Sequence, residues 1–189
     1  ESTDQILLTH RNIHFQIALG ATRQELQDEY FLKSSGLAEG KLGSMNLMNP
    51  NAGNIYTSNI LGNNFSVALG IALSLKLKKQ VGVVWVITGD GAIEEGAFYE
   101  AVLIASSLKL PIVFVVENNK WSLGTSILER RTEIDLCKFA DSMNIGFQSL
   151  KTIFTLSDDE KKQLLNTVKE ASQKVEWEED AKSKVKQTK

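Results

Sequence analysis

Two short apolar runs, VGVVWVITGDG at residues 81–91 and PIVFVVENN at residues 111–119, decide the fold. Both are rich in β-branched residues and apolar at consecutive positions, which is typical of strands buried on both faces of a parallel sheet. Residues 94–108 between them have the length and apolar spacing of a crossover helix. This strand–helix–strand unit predicts an α/β fold with a parallel sheet and helices on both faces.

The same alternation continues on both sides of this unit. Thr22 and Glu25 form a capping-box pattern that opens a helix ending near Leu32. Two more helices and a weak strand are expected at 65–79, 135–143 and 146–150, respectively. Residues 35–63 are rich in Gly, Ser and Asn and predict a long irregular connection. Connections of that length inside a compact domain are usually functional.

The composition changes near residue 150. All 13 glycines lie in 1–150, whereas residues 151–189 contain 9 lysines and 8 acidic residues. Within the second segment, Ser157 to Glu160 is a capping-box pattern, followed by apolar residues at helical spacing from Leu164 to Val175. We therefore predict a domain at 1–150 and a charged C-terminal helix and tail at 151–189, frayed beyond Trp177.

Composition also narrows the function. The 189 residues carry 21 basic and 23 acidic side chains, a net charge of −2, which gives no electrostatic reason to expect a nucleic-acid partner. The single cysteine, Cys137, excludes an internal disulfide, and two histidines leave little for a histidine metal site. No apolar run reaches the roughly 20 residues of a membrane span, and no secretory signal is visible, so we expect a cytoplasmic protein.

Polar motifs follow both strands of the central unit. Gly89-Asp90-Gly91 ends the first strand and Glu117-Asn118-Asn119 ends the second. A single crossover returns the chain parallel to its start, so both motifs emerge at the same edge of the sheet, where ligands of open α/β sheets bind. Asp90 and Asn119 offer hard oxygen ligands suited to Mg²⁺ or Ca²⁺, which often carry phosphate oxygens.

Backbone N–H groups complete this predicted site. Gly91 and Ala92 are expected to begin the crossover helix, where N–H groups and the helix dipole face an anion. Either motif alone is compatible with an ordinary tight turn. Both motifs together, at crossover spacing, predict a site for a metal-bridged diphosphate.

The motif pair resembles that of a known family. Gly89-Asp90-Gly91, then 26 residues, then Asn118-Asn119 is similar to the thiamine diphosphate motif. Residues 89–126 resemble the alpha subunit of the two-oxo-acid dehydrogenases, the decarboxylating component of the pyruvate, branched-chain and acetoin complexes. The likeness extends back through SNILGNN (58–64), GKLGSM (40–45) and THRNIHFQIALG (9–20). It implies the thiamine diphosphate-binding fold, in its diphosphate-binding domain.

The resemblance also implies a role for each matching residue. Mg²⁺ would be held by Asp90, the side chain of Asn119 and the carbonyl of Trp121. The diphosphate would meet the Gly89–Ala92 segment, with backbone amides of Gly91 and Ala92, and would pair with Arg11. Backbone positions flanking the aminopyrimidine ring would be Asn59 and Leu61.

Four further residues have weaker assignments. His10 stands where the family usually has tyrosine, and His10 and His14 are the candidate catalytic residues. Glu95 and Glu100 match acidic positions that in related transketolases lie at the subunit interface near the cofactor. An ordinary place on a helix surface is the alternative for both glutamates.

The implied function is that of an alpha-type subunit that binds thiamine diphosphate and Mg²⁺ for decarboxylation of a 2-oxo acid. In this family the glutamate that activates the aminopyrimidine belongs to a separate pyrimidine-binding domain, and we expect 189 residues to be too few for both domains. The resemblance therefore implies an active site shared with a beta-type subunit in a heterotetramer. A lipoyl acyltransferase is a further candidate partner.

The chain departs from the family pattern at several imidazole positions. Ile13 and Phe15 stand where the family often has histidine, Asn46 replaces another, and a Tyr-Arg-x-x-Gly-His-Ser segment has no counterpart. Imidazoles move protons during such reactions, so two alternatives stay open. One is a split transketolase-like subunit, which Glu95 favours. The other is a non-catalytic relative that keeps the cofactor fold.

Overall fold

The computed structural model describes residues 3–150. The predictions for 151–189, including the capping box at Ser157, lie outside the described residues. Regular elements in the described part follow in chain order. They are β1 Gln5–Thr9, α1 Ile13–Ala18, α2 Arg23–Tyr30, β2 Asn54–Ser58, α3 Asn63–Lys78, β3 Val84–Gly89, α4 Gly96–Ser107, β4 Ile112–Glu117, β5 Trp121–Ser122, β6 Thr125–Ser126, α5 Ile127–Arg130 and α6 Leu136–Ser142.

Four strands form a parallel sheet in the order β2-β1-β3-β4. The central pair β3–β4 is in unbroken register from Val84 opposite Ile112 to Gly89 opposite Glu117. The crossover between them is α4, as the two apolar runs predict. The α/β fold with a parallel sheet is confirmed.

One face of the sheet packs against α3 and α4. Leu7, Val84 and Val86 point to this face and are buried together with Phe65 of α3 and Phe98 of α4. The two phenylalanine rings lie 5.3 Å apart between centroids, a separation typical of favourable aromatic pairs. This apolar layer anchors the crossover helix and thereby fixes the positions of the ends of β3 and β4.

Three sequence predictions about the strands are wrong. Residues 146–150 form no strand, because Phe147 and Leu150 are exposed and pair with no neighbouring strand among residues 3–150. The connection at 35–63 is not irregular throughout, because it contains β2, which pairs with β1. The run at 111–116 is not buried on both faces: β4 lies at one end of the sheet order, and its apolar residues are half-buried.

The helices predicted at 22–32, 65–79 and 135–143 are confirmed. The capping box at Thr22 is confirmed: the Thr22 side chain accepts from the backbone N–H of Glu25, whose carboxylate accepts from the Thr22 N–H. The reciprocal contacts satisfy two donors at the start of α2. The predicted helices at 65–79 and 135–143 correspond to α3 and α6.

Candidate functional site

The carboxyl ends of all four parallel strands lie at the same edge of the sheet. Thr9 at the end of β1 is opposite Ser58 at the end of β2, and Gly89 is opposite Glu117. Each strand is directly followed by residues that the sequence marks as binding residues. These are His10 and Arg11 after β1, Asn59 and Leu61 after β2, Asp90, Gly91 and Ala92 after β3, and Asn119 and Trp121 after β4.

The ends of β3 and β4 are directly connected. The N–H of Asp90 donates to the carbonyl of Glu117 at 3.1 Å, so the two polar motifs are side by side. Beyond Glu117, Asn119 Oδ1 accepts from the N–H of Trp121 at 2.9 Å. This local turn orders the exposed amide and leads into the hairpin β5–β6, where Trp121 pairs with Ser126.

Gly91 and Ala92 do not begin the crossover helix, so that prediction is wrong. A separate 3₁₀ turn spans Ala92–Glu94, and α4 starts only at Gly96. The cause is the extended backbone of Glu95, with φ −73° and ψ 138°, which interrupts the helical path. Ala92, the first residue of this turn, is buried. The amides of Gly91 and Ala92 therefore belong to a short turn and not to the first turn of a long helix.

The carboxylate of Asp90 is buried and ion-paired. Its side chain is 3 % exposed, and Oδ2 lies 3.0 Å from Nη2 of Arg130, which is at the end of α5. A buried carboxylate is costly unless a charged partner is present, and Arg130 supplies one. Asp90 is thus part of the strand-end site, with a side-chain cation already in contact.

Glu94 forms ion pairs with two arginines beside Asp90. Its Oε1 lies 2.9 Å from Arg130 Nη2 and 3.0 Å from Arg131 Nε. Hydrogen bonding to Arg130 holds the pKa of Glu94 below its ordinary value, and the Glu94 carboxylate correspondingly raises the pKa of Arg130. Arg130 also donates to the carbonyl of Thr125 in β6. The result is a charged cluster that joins the end of β3 to the hairpin after β4.

Sequence reasoning missed this cluster. Arg130 and Arg131 lie some 40 residues beyond Asp90 and come back to it only because the hairpin β5–β6 folds the chain over the end of β3. The adjacent arginines shortly after an Asn-Asn motif were the available signal.

The end of β1 presents His10 and Arg11. Nδ1 of His10 is buried and without a hydrogen-bond partner among the described residues. Burial, followed by the charge of Arg11, lowers the pKa of His10, which favours the neutral imidazole. Arg11 is exposed, with a left-handed backbone at φ +57°, and its N–H donates to the Met45 carbonyl at 3.1 Å. His14 lies exposed on α1, 4.4 Å from the Phe15 ring.

The turn after β2 carries Asn59 and Leu61, both exposed. It contacts the start of the crossover at Gly62, where an added Cβ would lie 2.9 Å from Cβ and Cγ of Glu95. Gly62 has φ +79°, so both backbone and space require glycine there. Glu95 therefore lies beside the turn of Asn59 and Leu61, whereas Glu100 is exposed on α4.

A second buried carboxylate organises the loop that reaches Arg11. Glu29 of α2 is fully buried, and its two oxygens accept from four backbone N–H groups at 2.9–3.3 Å. The donors belong to Ala38, Gly40, Leu42 and Gly43. Burial acts to raise the pKa of Glu29, but these four hydrogen bonds outweigh it and hold the pKa below its ordinary value. The sequence did not single out Glu29.

The residues at the strand ends fit a diphosphate and a divalent cation. Asp90 and Asn119 carry the carboxylate and amide oxygens that Mg²⁺ binds. Ser122 lies close to the backbone of Gly91, because a Cβ added there would be 2.6 Å from Oγ of Ser122. At the end of β1, Nδ1 of His10 is a buried polar atom without a hydrogen-bond partner among residues 3–150.

Residues 3–150 lack two further features. No group of three or more His, Cys, Asp or Glu side chains is arranged to hold a metal ion. No helix in that range has the length and apolar character needed to cross a membrane.

The fold and site together define an α/β protein in which the predicted anion- and cation-binding residues lie at the carboxyl edge of a parallel sheet. The family model of the dehydrogenase E1 component matches residues 1–147. The chain therefore belongs to the dehydrogenase E1 component family.

Individual relatives agree with this family. The chain is 37 % identical over 124 residues to the mitochondrial alpha subunit of the pyruvate dehydrogenase E1 component of Dictyostelium discoideum, covering 65 % of this chain and 32 % of the relative. It is 38 % identical over 122 residues to the alpha subunit of acetoin:2,6-dichlorophenolindophenol oxidoreductase of Bacillus subtilis (strain 168), covering 65 % and 37 %. The chain thus spans about a third of the length of these curated relatives.

A solved structure supports the fold. A protein from Mycobacterium smegmatis, described as a thiamin diphosphate-dependent enzyme, aligns with a TM-score of 0.53 and 19 % identity. The alignment covers 90 % of this chain and 26 % of that one. At this identity the match establishes the α/β fold.

Proposed function

We propose that this chain is an alpha-type subunit that binds thiamine diphosphate and Mg²⁺ for decarboxylation of a 2-oxo acid. The observation that carries the proposal is the convergence of Arg11, Asn59, Asp90 and Asn119 at one edge of the sheet, each directly after a different parallel strand. Membership of the dehydrogenase E1 component family supports the same cofactor and reaction class.

In this proposal the metal is held by Asp90, the side chain of Asn119 and the carbonyl of Trp121. Gly89 is the last residue of β3 at the carboxyl edge of the sheet, and the backbone amides of Gly91 and Ala92 bind the diphosphate. These amides come from the end of β3 and the short turn after it, which is a compact anion-binding arrangement even without a long helix.

Two other strand ends complete the proposed binding surface. The guanidinium of Arg11 pairs with the diphosphate, which suits its exposed position and planar donors. Asn59 and Leu61 flank the aminopyrimidine ring from the turn after β2. His10, whose pKa is lowered and whose Nδ1 has no hydrogen-bond partner among residues 3–150, is the candidate to hold or accept a proton at that nitrogen.

Thiamine diphosphate, when bound, supplies the carbanion and electron sink on which decarboxylation depends, while the protein orients the reactants. We propose that a beta-type subunit contributes the pyrimidine-binding domain and that the complex is a heterotetramer. The relative from Bacillus subtilis is itself named as a subunit alpha, which supports a partner. A lipoyl acyltransferase as further partner and a cytoplasmic location stay predictions.

Co-purification tests the assembly. The chain would be expressed with the products of neighbouring genes, and the complex assayed for carbon dioxide release from several 2-oxo acids. We expect a larger complex and turnover. A monomer with full turnover contradicts the shared site. Two-carbon transfer without carbon dioxide release supports the transketolase-like alternative, and cofactor binding without either reaction supports the non-catalytic one.

Calorimetry tests the site in the same complex. Thiamine diphosphate with Mg²⁺ would be titrated into wild type, Asp90→Ala and the control Asp141→Ala, which removes an exposed carboxylate of α6. We expect at least a 10-fold loss of affinity for Asp90→Ala and no change for Asp141→Ala. Equal affinity for all three proteins would rule out Asp90 as a ligand.

A further inference from the structure

The residue proposed as the main cation ligand is already bound to a side-chain cation. Asp90 Oδ2 and Arg130 Nη2 are 3.0 Å apart, and their side chains are 3 % and 14 % exposed. A divalent cation at the Asp90 carboxylate would be adjacent to this guanidinium. Because two cations repel at such distances away from water, Arg130 in this position disfavours a cation at Asp90.

Arg130 has a second anchor that does not involve Asp90. Its Nη2 lies 2.9 Å from Glu94 Oε1, its Nε donates to the same oxygen at 3.0 Å, and it donates to the carbonyl of Thr125. If Arg130 leaves Asp90, it keeps a carboxylate and a carbonyl as partners. The exchange therefore leaves neither Asp90 nor Arg130 as an unpaired buried charge. Such an unpaired charge is what makes most buried ion pairs costly to break.

We propose that Arg130 and a divalent cation compete for Asp90, with Glu94 holding Arg130 when the cation binds, so that Arg130 sets the cation affinity of the site. This inference rests on the proposed function, because it takes Asp90 as the cation ligand. It adds a residue to the site that neither the strand-end motifs nor the spacing of the chain identifies.

The competition has a quantitative consequence. A ligand whose binding-competent state is only partly populated binds with an affinity reduced by that fraction. If Arg130 occupies Asp90 in 90–99 % of molecules, removing it tightens cation binding by about 10- to 100-fold. Removing Glu94 has the opposite effect, because Arg130 then loses its alternative carboxylate and stays on Asp90.

The test uses the full chain, with Mg²⁺ alone as the probe, measured by calorimetry and by the shift in Tm on adding Mg²⁺. The variants are Arg130→Met, Glu94→Gln and the control Arg131→Met, which removes the neighbouring arginine that contacts the Glu94 carboxylate and only the backbone carbonyl of Asp90. We expect at least 10-fold tighter binding for Arg130→Met, several-fold weaker binding for Glu94→Gln, and a change below 3-fold for Arg131→Met.

Opposite signs for two variants of the same cluster cannot come from general loosening of the fold. Glu94 is partly exposed, so its variant keeps the test valid even if Arg130→Met fails to fold: an unchanged or tighter affinity for Glu94→Gln contradicts the proposal. Unchanged or weaker binding by a folded Arg130→Met contradicts it equally.

Asp90→Ala separates failure of this inference from failure of the proposed function. Binding that depends on Asp90 but not on Arg130 overturns the competition and leaves the proposed cation ligand in place. Absence of Mg²⁺ binding in wild type and in every variant overturns the competition and also counts against the cation part of the proposed function.

Discussion

Glu29 and Asp90 are both buried carboxylates, but their charges are compensated in different ways. Glu29 accepts from four backbone N–H groups of the loop at 36–43, whereas Asp90 is paired with the side chain of Arg130. Backbone donors cannot move without moving the loop. A guanidinium can move by rotation of side-chain bonds.

The difference separates a structural carboxylate from an exchangeable one. The loop around Glu29 continues to Met45, whose carbonyl accepts from the N–H of Arg11, so Glu29 supports the conformation of a proposed diphosphate-binding residue from a distance. Asp90 is itself the proposed cation ligand, and its partner Arg130 also pairs with Glu94. We expect substitutions at Glu29 to affect mainly stability, and substitutions around Asp90 to affect mainly binding.

The largest effect is expected for Glu29→Gln. A glutamine has one oxygen where the carboxylate has two, and its NH₂ group would face two of the four backbone donors. Leaving two buried donors unpaired costs about 1–3 kcal/mol each, so we expect the free energy of unfolding to fall by about 4 kcal/mol. Urea unfolding measures it.

The matched control for this variant is Glu39→Gln. Glu39 is in the same loop but exposed, and its ion-pair partner is the exposed Lys41. We expect no measurable change there. A small loss for Glu29→Gln, similar to that of the control, would show that the loop does not depend on the buried carboxylate.

The next effect is expected for Gly36→Ala. An added Cβ would lie 2.5 Å from Glu29 Oε2 and 2.6 Å from its Cα, so the loop must shift away from the carboxylate. Overpacking of this kind costs about 2 kcal/mol. The control is Gly70→Ala in α3, where no atom lies within 4 Å of the added Cβ and helix propensity predicts a gain of about 1 kcal/mol. Equal stabilities of the two variants, by thermal unfolding, would contradict the packing argument.

A smaller loss is expected for Asp90→Asn. The asparagine Oδ1 can still accept from Arg130, and Arg130 keeps Glu94 as its charged partner. The cost is therefore that of weakening one charge-assisted hydrogen bond, about 1 kcal/mol. The same urea experiment measures it. A loss as large as that of Glu29→Gln would break the comparison, because it would show that Arg130 cannot redistribute to Glu94.

The comparison also explains which parts of the molecule the sequence predicts. The strands β3 and β4 and the crossover between them are evident because apolar β-branched runs indicate buried strands without further information. Asp90 and Asn119 directly follow those runs, so their placement at neighbouring strand ends follows from chain geometry. Local patterns are sufficient where neighbouring elements in the chain are also neighbours in space.

The remaining features depend on contacts between distant segments. The strand β2 is short and polar, and it forms because β1 lies beside it. Glu29 resembles any glutamate on an exposed helix until the loop at 36–43 folds over it, and that loop requires left-handed residues such as Gly40 and Gly43. Arg130 contacts Asp90 only because the hairpin β5–β6 turns the chain back toward the end of β3. None of these contacts has a periodic pattern that sequence reasoning detects.

The smallest change is expected on acidification, and it tests the role of Glu29 alone. Its folded-state pKa lies below the unfolded value of about 4.3, so the stability it contributes is fully present above that value and is lost as the pH falls through the folded pKa. We expect the difference in unfolding free energy between wild type and Glu29→Gln to be constant near neutrality and to shrink below about pH 4. Other carboxylates with lowered pKa values, such as Asp28 and Glu25, are present in both proteins, so their contributions cancel. Denaturant unfolding at a series of pH values measures the difference. A gap that widens in acid would mean that Glu29 is protonated in the folded chain, and the four backbone donors would then have to be held by other acceptors.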